Sequence, residues 1–127
     1  AITDTEQALL QLLWRHGQAT VRDLADRLYP GGTHSQYATV QSLLDRLERK
    51  GCVSRRKEGR VNVYKARVTR AEVIRRRLRE TADALCDGSL APLLSHLVEL
   101  SDPTPEEADA LERLVDRLAA GGDSRRR

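Results

Sequence analysis

Four times along this chain a threonine is followed three residues later by an acid: Thr3 and Glu6, Thr20 and Asp23, Thr69 and Glu72, Thr104 and Glu107. A hydroxyl accepting from the backbone three residues on, with the acid reaching back, starts a helix. Apolar residues at helical spacing follow each signal, so the chain is expected to be mostly helical. The first helix carries Leu9, Leu10, Leu12, Leu13 and Trp14 and is closed by Gly17. The second buries Val21, Leu24 and Leu28 and stops at the breaker cluster Tyr29-Pro30-Gly31-Gly32.

A third helix is expected from about Ser35 to Lys50, closed by Gly51. On a helical wheel Tyr37, Val40, Leu43, Leu44 and Leu47 fall on one side. The other side gathers Ser35, Ala38, Thr39, Gln41, Ser42, Asp45, Arg46 and Arg49. Next, Cys52–Lys57 and Val61–Lys65 flank a glycine-containing turn, which reads as a β-hairpin. Val61, Val63 and one of Cys52 or Val53 would form its inner face, with the basic side chains outward. The expected fold is therefore mainly α with a small β-hairpin. It is a winged helix-turn-helix over residues 1–68, followed by a helical dimerisation region over residues 69–120.

In that second region the helix from Thr69 to Gly88 keeps Ile74, Leu78, Thr81 and Leu85 near a heptad step. Ser89 opens another helix, with Pro92 in its first turn and Leu90, Leu93, Leu94, Leu97 and Val98 as its stripe. The last begins with Pro105 at its first position, carries Ala108, Leu111, Leu114, Val115 and Leu118, and is expected to end at Gly121-Gly122. Residues 121–127 read as a disordered tail. Three such helices without an aromatic residue enclose too little interior by themselves, and a second copy is the economical partner. The expected dimer interface is Leu78, Leu85, Leu90, Leu93, Leu94, Leu97, Leu111, Leu114, Val115 and Leu118.

The net charge of +3 conceals a division. Residues 1–80 hold 17 basic and 9 acidic side chains, whereas residues 81–127 hold 5 and 10. A basic half joined to an acidic half points to a polyanion-binding module followed by a part with another task. No apolar run approaches the roughly 20 residues of a membrane span, and no signal-peptide pattern stands at Ala1. A cytoplasmic protein without membrane insertion is expected. His16, His34, His96, Cys52 and Cys86 have no metal-ligand spacing. No nucleophile–base set and no glycine-rich phosphate loop is present, so neither an enzyme nor a cofactor is expected.

Reading bases in the major groove takes small or hydrogen-bonding side chains near the start of a helix. Ala38, Thr39, Gln41 and Ser42 meet that need as base contacts, Gln41 by pairing bidentately with adenine. Thr20, Arg22, Ser35, Tyr37, Arg46, Arg55, Arg56, Lys57 and Arg60 are the candidates for the DNA backbone. Double-stranded DNA with dyad symmetry is the expected partner. A protein-binding winged helix, and a regulator gated by a ligand or by Cys86 oxidation, stay open as alternatives.

Thr3-Asp4-x-Glu6 with Leu12-Leu13-Trp14 and Ala19-Thr20-Val21-Arg22-Asp23 resembles the penicillinase repressor family of winged-helix regulators. So do the run Tyr37 to Gly51, the wing Arg56-Lys57-Glu58-Gly59-Arg60-Val61-x-Val63-Tyr64, and Asp87-Gly88-Ser89-Leu90. The resemblance covers about residues 2–118. It implies a homodimeric repressor on a palindromic operator, with Thr39 and Gln41 reading bases. Ala38 stands where the best-known members carry Lys. The resemblance also implies relief by a membrane sensor protease cutting in the penultimate helix, at a bond matched here by His96-Leu97. The paired-cysteine tail of the copper-responsive relatives is absent.

Overall fold

The computed structural model describes residues 1–125, and the chain divides into two compact units, Ala1–Arg70 and Ala71 onward. Helix α1 (Asp4–His16) begins where Thr3 and Glu6 cap each other: Glu6 N–H donates to Thr3 Oγ1 at 3.2 Å, and Thr3 N–H donates to Glu6 Oε1 at 3.0 Å. Ala19–Thr20 then form a two-residue strand, β1, and Thr20 also caps α2 (Val21–Leu28) in a reciprocal pair with Asp23 at 3.1 Å each way. The turn after α2 is tight. A Cβ on Gly32 would collide with Gln36 Oε1 and lie 2.8 Å from the Tyr29 carbonyl, so only glycine fits.

Helix α3 runs His34–Arg49. Strands β2 (Val53–Glu58) and β3 (Val61–Ala66) follow as an antiparallel hairpin, in register from Val53 opposite Ala66 to Glu58 opposite Val61. Its two-residue loop needs a positive φ at the first position, and Gly59 supplies one at 62°. The sheet order is β1-β3-β2, so β3 is central and pairs Ala19 with Tyr64 and Thr20 with Val63. Three helices closed by a three-stranded wing make a winged helix-turn-helix.

Leu9, Leu10 and Leu13 of α1 meet Leu24 of α2, Val40, Leu44 and Leu47 of α3, and Val53 and Tyr64 of the wing in one core, all fully buried. Each such leucine contributes about 1.5–3 kcal/mol of hydrophobic stabilisation. Val61 does not join them. At 52% exposure it corrects the expected inner face, because it lies at the wing tip, past the helices that cover Val63 and Tyr64. Tyr37 is likewise exposed rather than buried. It sits in the first turn of α3, where its ring lies parallel to that of His34, with centroids 6.3 Å apart.

The segment leaving the wing is tied down by Trp14, whose Nε1–H donates to the Val68 carbonyl at 2.8 Å. The Arg70 guanidinium lies 5.0 Å from the centre of the same ring. A Trp14→Phe chain is expected to lose about 1–2 kcal/mol, the sum of one hydrogen bond and an exposed cation–π contact. Denaturant titration would measure it, and a loss below about 0.3 kcal/mol would contradict the tether.

From Ala71 onward the structure is helical. Helix α4 spans Arg70–Leu85, α5 spans Ala91–Ser101, and α6 spans Pro105–Arg125. Helices α5 and α6 pack together. Thr104 and Glu107 cap α6 reciprocally at 3.2 Å, and those hydrogen bonds hold the Glu107 carboxyl below its ordinary pKa. The expected helix end at Gly121-Gly122 is corrected, since α6 continues through both glycines to Arg125. Glycine costs a helix about 1 kcal/mol but keeps its N–H, so it does not break the ladder as proline would. Residues 126–127 of the expected tail lie outside the described residues.

Among the described residues of this second unit, only Val73, Ala82 and Ala91 are buried. Of the ten leucine and valine positions expected at an interface, Leu78, Leu85 and Leu97 are exposed, and the other seven are half-buried. Leu85 reaches 80% exposure. Ile74 and Leu100, outside that expected set, are exposed as well.

Candidate nucleic-acid interface

Helix α3 presents its outer face because four residues of its inner face, Val40, Leu43, Leu44 and Leu47, are locked in the core. The N–H of Thr33 donates to Gln36 Oε1 at 2.8 Å, which fixes the first turn. Ser35, Ala38, Thr39 and Ser42 are all exposed on the outer face. They are short, so backbone and side chains there can approach a base edge closely. The Thr39 hydroxyl donates to the Ser35 carbonyl at 3.0 Å, leaving its lone pairs and its methyl outward.

Gln41 differs from the other three expected base contacts. It is half-buried, and its Nε2 donates to Asp45 Oδ1 and to the Tyr64 hydroxyl, both at 3.1 Å.

The backbone candidates divide by what already holds them. Arg46 lies 3.7 Å from Glu6, Arg55 is 3.3 Å from Glu48, and Arg56 contacts Glu58 at 2.6 Å and Gln18 at 3.1 Å. The pairs of Arg55 and Arg56, solvent-accessible on both sides, are worth about 0–1 kcal/mol, so a phosphate can displace them, whereas Arg46 faces the buried Glu6. Arg22 in the first turn of α2, and Lys57 and Arg60 at the wing tip, are exposed with no partner among the described residues. The Thr20 hydroxyl accepts the α2 cap bond and keeps its proton to donate, while Ser35 and Tyr37 stand exposed at the start of α3. Positive charge therefore sits on both flanks of the short polar face.

Behind this face lies an ion pair that sequence spacing does not reveal. The Glu6 carboxylate is fully buried, and Lys50 Nζ reaches its two oxygens at 2.8 and 2.9 Å and the Ala1 carbonyl at 2.6 Å. Burial pushes the Glu6 carboxyl up, but the hydrogen bonds from Lys50 and Thr3 outweigh it and hold the group below the ordinary value of 4.5. The pair ties the end of α3 to the start of α1.

Among the described residues no helix is long and apolar enough to cross a membrane, and no His, Cys, Asp or Glu cluster is placed to hold a metal ion. His96 and Leu97 are both exposed in mid-α5, His96 Nδ1 lying 3.5 Å from Glu99.

Several known proteins are similar to this chain. The penicillinase repressor of Bacillus licheniformis is 25% identical over 91% of this chain and 89% of its own length. A 16.5 kDa protein encoded in the ptsI 3′ region of Latilactobacillus sakei is 29% identical over 94% of this chain and 81% of its own. The solution structure of the DNA binding domain of the repressor BlaI is similar over 56% of this chain and 85% of its own, at 31% identity and a TM-score of 0.49. The sequence model of the penicillinase repressors matches residues 2–117, nearly the whole chain, and the chain therefore belongs to the penicillinase repressor family, a family of transcriptional repressors and not of enzymes.

Proposed function

We propose that this chain represses transcription as a homodimer bound to an operator with dyad symmetry, one α3 entering each of two successive major grooves. The observation that carries this reading is the exposed face of Ser35, Ala38, Thr39 and Ser42, flanked by the unpartnered Arg22, Lys57 and Arg60. Recognition helices of such a dimer lie about 34–36 Å apart, one turn of DNA. Support for the second copy comes from the apolar face that residues 71 onward leave open, since large exposed apolar patches mark interaction surfaces. Phosphate contacts supply most of the affinity and make it steeply salt-dependent.

Selection of bound sites from random duplex DNA tests the reading, and the absence of an enriched dyad would overturn it. Arg60→Ala is expected to weaken binding to all sequences about equally and to reduce the salt slope by about one. Thr39→Val should instead change preference at one position of each half-site. Electrophoretic titration over a range of salt separates the two.

Relief of repression by a membrane sensor protease would fall on the His96-Leu97 bond. That bond lies in mid-helix, so the protease must unwind a turn of α5 before cutting. Mass spectrometry of the chain after induction would locate the cut.

A further inference from the structure

We infer that Tyr64, buried in the wing, is a positioning residue for operator recognition: with Asp45 it holds the Gln41 amide so that Gln41 offers the DNA an acceptor alone. The inference rests on the DNA reading above. The Tyr64 ring is fully buried in β3, and its hydroxyl crosses to α3, 3.1 Å from Gln41 Nε2. The same nitrogen lies 3.1 Å from Asp45 Oδ1, one turn farther along α3. An ionised carboxylate can only accept, so the amide must turn its NH2 group toward Asp45, and Tyr64 must accept the second N–H. Both donors of Gln41 are then used, and Oε1 remains.

A free glutamine reads adenine through two bonds, donating to N7 and accepting from the N6 amino group. Held in this way, Gln41 keeps only the second. It favours a base that shows an amino group in the major groove, adenine or cytosine, and does not separate the two by N7. A side chain on the wing thus sets what the recognition helix can read.

Tyr64→Phe tests this, because it removes one hydroxyl and leaves the buried ring. Site selection with the full chain is expected to show a gain for adenine over cytosine of about three- to tenfold, at the position where Gln41→Ala abolishes preference. Asp45→Ala, which removes the other acceptor, should act in the same direction. In the Tyr64→Phe, Gln41→Ala double variant the Tyr64 change should add nothing. A merely structural Tyr64 would lower affinity for all sequences alike and add to Gln41→Ala, and either result overturns the inference. An unchanged preference in Tyr64→Phe also overturns it, while a dyad enriched by the parent chain keeps the DNA reading standing. If the parent chain enriches nothing, both fall.

Discussion

A Lys50→Ala chain is expected to lose about 2–3 kcal/mol of stability at neutral pH, lowering its thermal midpoint by on the order of 10 °C. The loss comes from removing the hydrogen-bonded cation of the fully buried Glu6 carboxylate and leaving it only Arg46, at 3.7 Å. Removing one partner from a fully buried pair costs about 3–5 kcal/mol. Lys50 retains 31% side-chain exposure, and solvent screening of that end makes the expected cost smaller. The pH dependence has a definite sign. Because the folded Glu6 pKa lies below 4.5, its ionised form contributes stability that is present above that value and is lost as pH falls through the folded pKa. Glu6→Gln should therefore be less stable at neutral pH and show a flatter decline below about pH 4.5. Circular dichroism melts across that window check both statements, and a Lys50→Ala shift of under 2 °C would contradict the account.

The second large effect concerns assembly. Leu85→Glu combined with Leu97→Glu is expected to turn the proposed dimer into a monomer and to weaken operator binding by about 100-fold or more, since two linked recognition helices reinforce each other. Both leucines are exposed in the single chain, at 80% and 50%, so glutamate there costs the isolated unit little. In a dimer the same change would bury unpaired charge, which is costly. Sedimentation analysis with parallel DNA titration decides the matter. A double variant that remains dimeric would remove these leucines from the interface.

How much of this was legible depends on how far apart the interacting residues stand. The caps at Thr3, Thr20 and Thr104 join residues three apart, and each is present at its expected place. The inner face of α3 follows from its period, apart from Tyr37, which lies too near the start of the helix to be covered. Strand β1 was not legible, because two residues cannot show an alternation. Its signal is the pairing of Ala19 with Tyr64, which only the folded chain displays. Glu6 and Lys50, and Gln41 and Tyr64, meet across 44 and 23 positions, and spacing rules carry nothing over such spans. For the candidate site the consequence is specific. The exposed positions Ala38, Thr39 and Ser42 could be read from periodicity, but the restraint on Gln41 could not.

The bond from Trp14 to Val68 has a practical consequence as well. The chain contains one tryptophan, so its red-edge fluorescence is a built-in reporter with a known address. The indole sits against the Val68 carbonyl and beneath Arg70, at the segment where the wing ends and α4 begins. Any event that strains that segment, whether a ligand, a cut or an operator, would register as a change in emission from unlabelled protein.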